Sequence, residues 1–230
     1  MNANLPPNYA LHDNAYRRLR ERGKTGWDSD DIYSDMFALV EPALPAVAPG
    51  RSPSVLEIGS GAGNFSLMLA QRGYTVTGVE ISEFGVEWAN ERAKATGSGA
   101  MFRVDNVLAL ATCGDATFEA VVDGHCLHCI IGADRASCLQ AVHRVLKPGG
   151  VFVVLTMCGD VLDETMLRVF DPVNRVTVHD GRPTRYIGKA EDIVAEVVRA
   201  GFELSNVHVN RRSCDRDMDD LVIHALKPSP

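Results

Sequence analysis

The chain has 230 residues, of which 46% are hydrophobic and 23% are charged, fractions typical of a globular protein with an ample core. Its 23 basic and 30 acidic residues give a net charge of −7, which argues against a nucleic-acid substrate because phosphate backbones bind to basic surfaces. No apolar segment is long enough to span a bilayer, and the first residues lack the apolar core of a secretory signal, so we expect a cytoplasmic protein that does not bind membranes.

Short apolar segments alternate with helical patterns along most of the chain. Residues 1–50 are predominantly helical in pattern, and prolines and a glycine end this region. The predicted strands and helices that follow are strands at 55–58, 75–80, 101–104, 119–123 and 151–156, and helices at 64–72, 82–96 and 134–146. Such alternation predicts a parallel sheet with helices on both faces.

The pattern becomes less regular after the fifth strand. Residues 157–188 carry scattered charges together with Pro172, Gly181 and Pro183, and are predicted to be an insertion. A helix at 190–200 precedes two strands at 203–209 and 221–226 that have no helix between them. Consecutive strands of this kind pair in the antiparallel sense, so we expect a hairpin at the end of the chain.

Residues 55–63, VLEIGSGAG, form the most distinctive motif. Three glycines follow a predicted strand and precede a predicted helix, where the backbone must turn sharply and approach a ligand closely. A dinucleotide fingerprint presents this turn to a pyrophosphate, but Glu57 stands two residues before Gly59, where a carboxylate suits a cofactor with a cationic amino-acid tail. Glu80, at the end of the second strand, is placed to bind a ribose diol.

This motif resembles motif I of the class I S-adenosylmethionine-dependent methyltransferases, and the resemblance extends over roughly residues 53–226, including the KPGG sequence at 147–150. It implies an α/β fold: a doubly wound, mostly parallel seven-stranded sheet with a C-terminal antiparallel hairpin, helices on both faces and an N-terminal helical cap. We expect a single methyltransferase domain over 1–230, comprising the cap (1–50), a cofactor-binding core (51–156), a substrate-lid insertion (157–188) and a C-terminal helix and hairpin (189–230).

The resemblance also implies the residues that bind S-adenosylmethionine, and S-adenosylhomocysteine after the reaction. Glu57 and the glycine turn would surround the amino-acid and ribose portions, Glu80 would accept hydrogen bonds from the ribose hydroxyls, and Ile81 would pack on the adenine. Asp105 would bind the adenine amine, with a plain turn residue as the alternative. The implied set is Glu57, Gly59, Ser60, Gly61, Gly63, Asn64, Glu80, Ile81, Asp105, Asn106, Val107 and Asp123.

The segment DGHCLHC at residues 123–129 follows the fourth strand, and open α/β sheets bind ligands at the carboxyl ends of their strands. His125, and after it His128, are candidate catalytic residues because a histidine is able to accept a proton from a methyl acceptor. Metal binding is an alternative, but adjacent side chains do not converge on one tetrahedral centre, and we assign no metal. In the other alternative the segment begins a helix in which Cys126 and Cys129 are small apolar residues.

Substrate-binding candidates come from the cap and the insertion, and packing is the alternative for each of them. Arg185 would meet an anionic or planar acceptor, and aromatic residues of the cap would exclude water from the sulfonium. The candidates are Tyr16, Trp27, Tyr33, Arg185 and Tyr186.

These features predict methyl transfer by in-line displacement to an O or N atom, with S also open, of a small-molecule acceptor, with His125 as the general base. A protein substrate and a non-catalytic cofactor-binding scaffold are the alternatives. We expect a monomer or homodimer that binds neither nucleic acid nor membranes.

Overall fold

The central sheet has seven strands in the structure, a computed structural model that describes residues 5–211, 214 and 218–229 except for the side chain of Asp30. A second, smaller sheet has three strands. The ten strands in chain order are β1 (Ser54–Ile58), β2 (Thr75–Glu80), β3 (Met101–Val104), β4 (Phe118–Gly124), β5 (Leu146–Cys158), β6 (Phe170–Asp171), β7 (Val176–His179), β8 (Arg182–Tyr186), β9 (Glu203–Asn210) and β10 (Asp219–Leu226).

The seven strands of the central sheet lie in the order β3-β2-β1-β4-β5-β10-β9. The first five of these pair in parallel, whereas β10 pairs antiparallel with both β5 and β9. The predicted mostly parallel seven-stranded sheet with its C-terminal hairpin is therefore confirmed. This order brings the carboxyl ends of β1, β2 and β4 to one edge, where the glycine turn and the DGHCLHC segment meet.

Seven helices are present in the described residues. None of them is long and apolar enough to cross a bilayer. They are α1 (Leu11–Glu21), α2 (Asp30–Val40), α3 (Asn64–Gln71), α4 (Glu83–Thr96), α5 (Asp134–Val145), α6 (Glu164–Leu167) and α7 (Ala190–Arg199), and short 3₁₀ turns lie at Glu41–Ala43 and Leu127–Cys129.

The side chains of the central strands are apolar on both faces of the sheet, which explains why helices cover both faces. In β5, Phe152 and Val154 belong to one buried cluster, and Val153 and Leu155 belong to the other. Successive side chains of a strand point to opposite faces, so a strand that is apolar at every position requires helices on both sides. Helices α5 and α7 contribute to the first cluster, and α2, α3 and α4 contribute to the second.

The segment after β5 differs from its sequence pattern. Residues 157–188, predicted only as an insertion, contain helix α6 and the small sheet β6-β7-β8, in which both pairings are antiparallel. Strand β5 begins at Leu146, within the predicted helix at 134–146, because Leu146, just before the KPGG turn, pairs with Phe118 of β4. Residues 1–4 of the predicted cap lie outside the described residues.

Candidate active site

The glycine turn between β1 and α3 has a left-handed backbone at all three glycines, with φ of 68° at Gly59, 52° at Gly61 and 80° at Gly63. Residues with side chains rarely adopt this conformation. The turn is also crowded: a Cβ atom on Gly61 would lie 2.5 Å from Oη of Tyr16, and one on Gly63 would lie 2.7 Å from Cζ of Phe102. Tyr16 of α1 therefore closes directly over the turn.

Glu80, the last residue of β2, connects this turn to the strand. Its Oε2 accepts a hydrogen bond from the N–H of Gly61 at 3.1 Å, and its Oε1 accepts one from the N–H of Ser82 at 2.9 Å. Burial raises the pKa of this carboxyl, and the backbone hydrogen bonds oppose that effect. Each carboxylate oxygen has a second lone pair, so Glu80 retains the capacity to accept hydrogen bonds from a ligand.

Glu57 lies one residue before the end of β1 and is buried. The hydroxyl of Ser66 in α3 donates a hydrogen bond to its Oε2. Burial raises the pKa of the Glu57 carboxyl to about 8, so a neutral carboxylic acid predominates at neutral pH when no cation is nearby. A ligand ammonium beside it would favour the carboxylate and reverse the shift in pKa.

A cavity of about 880 Å³ lies at the carboxyl ends of the parallel strands. It has the size of a small-molecule site. Of the predicted cofactor-binding residues, those that line it are Glu57, Gly59, Ser60, Gly61, Asn64, Glu80, Ile81, Asn106 and Val107. The two predicted catalytic histidines and four predicted substrate-binding residues also line it, namely His125, His128, Tyr16, Trp27, Tyr33 and Arg185.

Asp105 is not among the residues that line this cavity, and its role in binding the adenine amine stays a prediction. Oδ1 of Asp105 accepts hydrogen bonds from the N–H groups of Asn106 at 2.7 Å and Ala111 at 3.2 Å. Its Oδ2 accepts bonds from the N–H and the hydroxyl of Thr112, at 2.8 and 2.6 Å. The carboxylate thus organises the loop after β3, which is the alternative that the sequence left open.

Three more predicted site residues lie away from the cavity lining. Gly63 allows α3 to approach Phe102, as described above. Oδ1 of Asp123 accepts hydrogen bonds from the N–H groups of Cys126 and Leu127, at 2.7 and 2.9 Å. These bonds stabilise the turn after β4. Burial raises the pKa of Asp123 to about 6. The ring of Tyr186 packs against the guanidinium of Arg135, 4.4 Å from Cζ to the ring centroid, and does not face the cavity.

His125 occupies the end of β4 in a conformation that is unusual for its residue type. Its φ is 68°, in the left-handed region, and its N–H donates a hydrogen bond to the carbonyl of Leu155 at 3.1 Å. Nε2 lies 3.2 Å from Oδ1 of Asp220 in β10. Burial lowers the pKa of His125, but the hydrogen bond and the negative charge of Asp220 outweigh it, so the pKa is raised. Strained residues of this kind often occur at functional sites.

His128 is buried beside His125, and the two rings meet edge to face with centroids 5.8 Å apart. Burial, followed by the charges of His125 and Arg185, holds the pKa of His128 well below its ordinary value, so its ring is neutral. Burial raises the pKa of Cys129 to about 11, so this cysteine remains a thiol. Within the described ranges, no group of three or more His, Cys, Asp or Glu side chains is arranged to hold a metal ion.

Among the hydrogen bonds that attach the segment containing α1 to the rest of the chain, two groups lie beside the cavity. Oδ1 of Asp13 accepts hydrogen bonds from the Ser82 hydroxyl and the Phe84 N–H, both at 2.9 Å, at the start of α4. Oη of Tyr9 donates to Oδ2 of Asp134 at 2.8 Å and accepts a bond from the N–H of Ile131 at 3.2 Å. The first attachment lies beside Glu80, and the second lies beside the DGHCLHC segment.

The lining of the cavity includes polar atoms that have no hydrogen-bond partner among the residues that the structure describes. They are Oγ of Ser60, Nδ2 of Asn64 and Nδ1 of His128. Buried polar atoms are ordinarily hydrogen-bonded, so these three fit a polar ligand in the cavity. With the buried carboxyls of Glu57 and Glu80 on the same wall, the donors and acceptors fit a cofactor that carries an amino acid and a ribose.

Asp220 is the main residue that the sequence analysis missed. It lies at the start of β10, in the hairpin, far along the chain from His125, and no local motif includes it. Its register in the sheet, opposite Met157 of β5, is what brings it to the cavity. His12 and Tyr9, which also line the cavity, were missed for the same reason, because only the fold of the N-terminal segment over the sheet brings them there.

Comparisons with known proteins give the family. A family model described as "Methyltransferase domain" matches residues 56–154. A ubiquinone biosynthesis O-methyltransferase of Rhizobium leguminosarum bv. trifolii is 33% identical over 174 residues, which cover 72% of this chain and 68% of the relative. An uncharacterized methyltransferase of Synechocystis is 33% identical over 112 residues, or 49% of this chain, and the chain spans only 50% of that relative's length.

The fold agrees with a solved structure as well. The Burkholderia thailandensis 1,6-didemethyltoxoflavin-N1-methyltransferase, solved with 1,6-didemethyltoxoflavin and S-adenosylhomocysteine bound, superposes with a TM-score of 0.66 at 22% identity, covering 98% of this chain and 93% of that one. At this identity the similarity concerns the fold alone. The sheet order, the glycine turn with its two buried carboxyls, the family model and the Rhizobium relative agree, and the chain belongs to the class I S-adenosylmethionine-dependent methyltransferases.

Proposed function

We propose that the protein transfers the methyl group of S-adenosylmethionine to an oxygen atom of a small-molecule acceptor, with His125 as the general base. The observation that carries this proposal is the His125–Asp220 pair, at 3.2 Å, in the wall of the cavity. The cavity of about 880 Å³ is suited to a small molecule together with the cofactor. The O-methyltransferase name of the Rhizobium relative supports oxygen as the methylated atom.

The cofactor would be held by the residues of the glycine turn and the two neighbouring strands. Glu80 would accept hydrogen bonds from the ribose hydroxyls, and Glu57 would face the ammonium group. Ile81, Asn106 and Val107 line the cavity next to Glu80, where the adenine would lie. When bound, the cofactor supplies an electrophilic methyl group on a sulfonium, so the protein has mainly to align the acceptor and exclude water.

His125 would remove the acceptor's proton. Asp220 binds Nε2, which leaves Nδ1 as the nitrogen available to take a hydroxyl proton while the acceptor oxygen is methylated. By raising the pKa of His125, Asp220 makes the imidazole a stronger base and stabilises the imidazolium that forms. A base of this strength is better matched to a phenolic hydroxyl, with a pKa of about 10, than to an aliphatic alcohol.

The first test measures cofactor binding by calorimetry with S-adenosylmethionine, S-adenosylhomocysteine and NAD. We expect micromolar binding of the two sulfur nucleotides and none of NAD. The purified protein is then assayed for release of S-adenosylhomocysteine with phenols, aromatic amines and thiols. Preference for amines or thiols would contradict the choice of oxygen, and absence of sulfur-nucleotide binding would contradict the proposed function.

The role of His125 is tested with His125→Asn, because asparagine tolerates the left-handed backbone at this position. We expect kcat to fall about 100-fold or more, with an unchanged cofactor dissociation constant. His179→Asn is the matched control, since His179 is exposed at the end of β7 and lies outside the cavity lining. If His125→Asn retained wild-type kcat, alignment of the acceptor would account for the rate without a base.

A further inference from the structure

We infer that the methyl acceptor carries a carboxylate and that Arg185 binds it. The inference rests on the proposed function and names the substrate class of the same cavity. It concerns the acceptor alone, because the carboxyl end of β2 and the glycine turn, where the cofactor is expected, are formed by other parts of the chain.

Arg185 lines the cavity together with residues of the DGHCLHC segment. It belongs to β8, and this strand contacts the 3₁₀ turn Leu127–Cys129 at the end of the DGHCLHC segment. Its charge acts on both His128 and Cys129, where it opposes protonation of the imidazole and favours the thiolate, although burial is the larger effect at each residue. Arg185 therefore shares the cavity lining with His125, His128 and Cys129, and an acceptor that it binds would lie beside these residues.

Within the described part of the chain, no carboxylate forms an ion pair with Arg185. Four arginines of that part line the cavity. Arg182 donates to a backbone carbonyl at 2.9 Å, Arg211 pairs with a carboxylate at 2.6 Å, and Arg18 lies exposed on α1. Arg185 is half-buried, and none of the described carboxylates or carbonyls accepts a hydrogen bond from it. A half-buried cation without a partner favours an anionic ligand.

The surroundings of Arg185 favour an anion with one negative charge. His128 is neutral and Cys129 is a thiol, so neither adds a second positive charge beside the guanidinium. A guanidinium binds a carboxylate through two parallel hydrogen bonds, and one such group balances one charge. Apolar side chains in the same lining, including those of Ile130, Met157, Met166 and Pro183, suit the ring of an aromatic acid.

The test compares matched pairs of phenols that differ only in charge: para-hydroxybenzoate and para-hydroxybenzamide, salicylate and salicylamide, and caffeate and its amide. Each is titrated into the protein saturated with S-adenosylhomocysteine, with binding followed by calorimetry. We expect the carboxylate of at least one pair to bind about 10- to 100-fold more tightly than its amide. In Arg185→Gln this preference should disappear while the amide binds as before, and Arg185→Lys should retain part of it.

Arg168→Gln is the matched control, because it removes the same charge from an exposed position of the same inserted segment, outside the cavity lining. It should leave every affinity unchanged. The inference is overturned if no carboxylate is preferred over its amide, or if Arg185→Gln weakens both members of a pair equally. It is also overturned if Arg185→Gln weakens S-adenosylhomocysteine binding, since Arg185 would then hold the cofactor's carboxylate. Failure of the proposed function is distinguishable, because the wild-type protein would then not bind S-adenosylhomocysteine.

Discussion

Nε2 of His125 lies 3.2 Å from Oδ1 of Asp220, so β10, the last strand in chain order, supplies a partner for the histidine that follows β4. The two residues belong to strands on either side of β5, and the side chains meet across its carboxyl end. The position of His125 is set by its left-handed backbone, and that of Asp220 is set by its pairing with Met157 in the sheet. The orientation of the imidazole is therefore set by the sheet itself.

The Asp220→Asn variant tests the effect of Asp220 on the pKa of His125, the proposed base. Asp220 raises the pKa of His125, so its removal should lower that pKa. A general base acts in its neutral form, and the acidic limb of the kcat profile should consequently move to lower pH. At alkaline pH, kcat should fall by about tenfold or less, because the base is weaker. The pH–rate profile and the titration of the His125 ring by NMR measure both effects.

Asp115→Asn provides a control for this experiment, since Asp115 pairs with Arg144 on the exposed surface. Neither the kcat profile nor the titration of His125 should change in it. An acidic limb that stays in place in Asp220→Asn would show that another group is the base.

Glu57→Gln tests the buried carboxyl beside the glycine turn. The folded-state pKa of Glu57 is about 8, above its ordinary value of 4.5, so its contribution to stability is present below pH 4.5 and is lost as pH rises through 8. The cofactor-free variant should therefore have a higher Tm than the wild type at pH 8.5 and a similar Tm at pH 5.

Asp123 also makes the stability of the protein depend on pH. Its pKa is raised to about 6, so its destabilising effect develops at lower pH and should persist in Glu57→Gln. The variant should also bind S-adenosylmethionine more weakly, because it lacks the partner for the ammonium. Parallel Tm curves for wild type and variant between pH 5 and 8.5 would contradict the raised pKa of Glu57.

Gly61→Ala tests the contact between α1 and the glycine turn. Both Gly61 and Gly97 have a left-handed backbone, with φ of 52° and 64°, but a Cβ atom on Gly97 would meet nothing within 4 Å. Gly97→Ala should therefore lower the free energy of unfolding by only about 1–2 kcal/mol, the cost of a Cβ atom in the left-handed backbone conformation. Gly61→Ala should cost about 1–3 kcal/mol more, because its methyl group collides with Tyr16.

Denaturant unfolding of both alanine variants measures these free energies. In the Tyr16→Phe background the extra cost at Gly61 should decrease, since the hydroxyl oxygen is the nearest atom to the added methyl group. Equal costs at the two glycines would mean that α1 does not press against the turn.

The sequence was sufficient for the sheet, because an apolar strand, a glycine turn and a helix have local signatures that recur in chain order. Most of the site residues that it predicted also line the cavity. The hydrogen bonds of Asp105 could not be predicted from the sequence. A carboxylate that follows a strand has the same sequence pattern whether it binds a ligand or the N–H groups of its own loop. The contact between Asp220 and His125 could not be predicted either. It depends on how β10 pairs with β5, and no motif in the nearby sequence indicates that pairing.

The N-terminal segment contacts two parts of the molecule that lie at the ends of different strands: the start of α4, which follows β2, and the start of α5, which follows β4. Asp13 is hydrogen-bonded at the start of α4, and Tyr9 is hydrogen-bonded to Asp134 and Ile131. Since a helix moves as a rod, a displacement of α1 that uncovers the glycine turn also pulls on the attachment at Tyr9. A movement of the N-terminal segment away from one wall of the cavity would therefore also disturb its hydrogen bonds at the other wall.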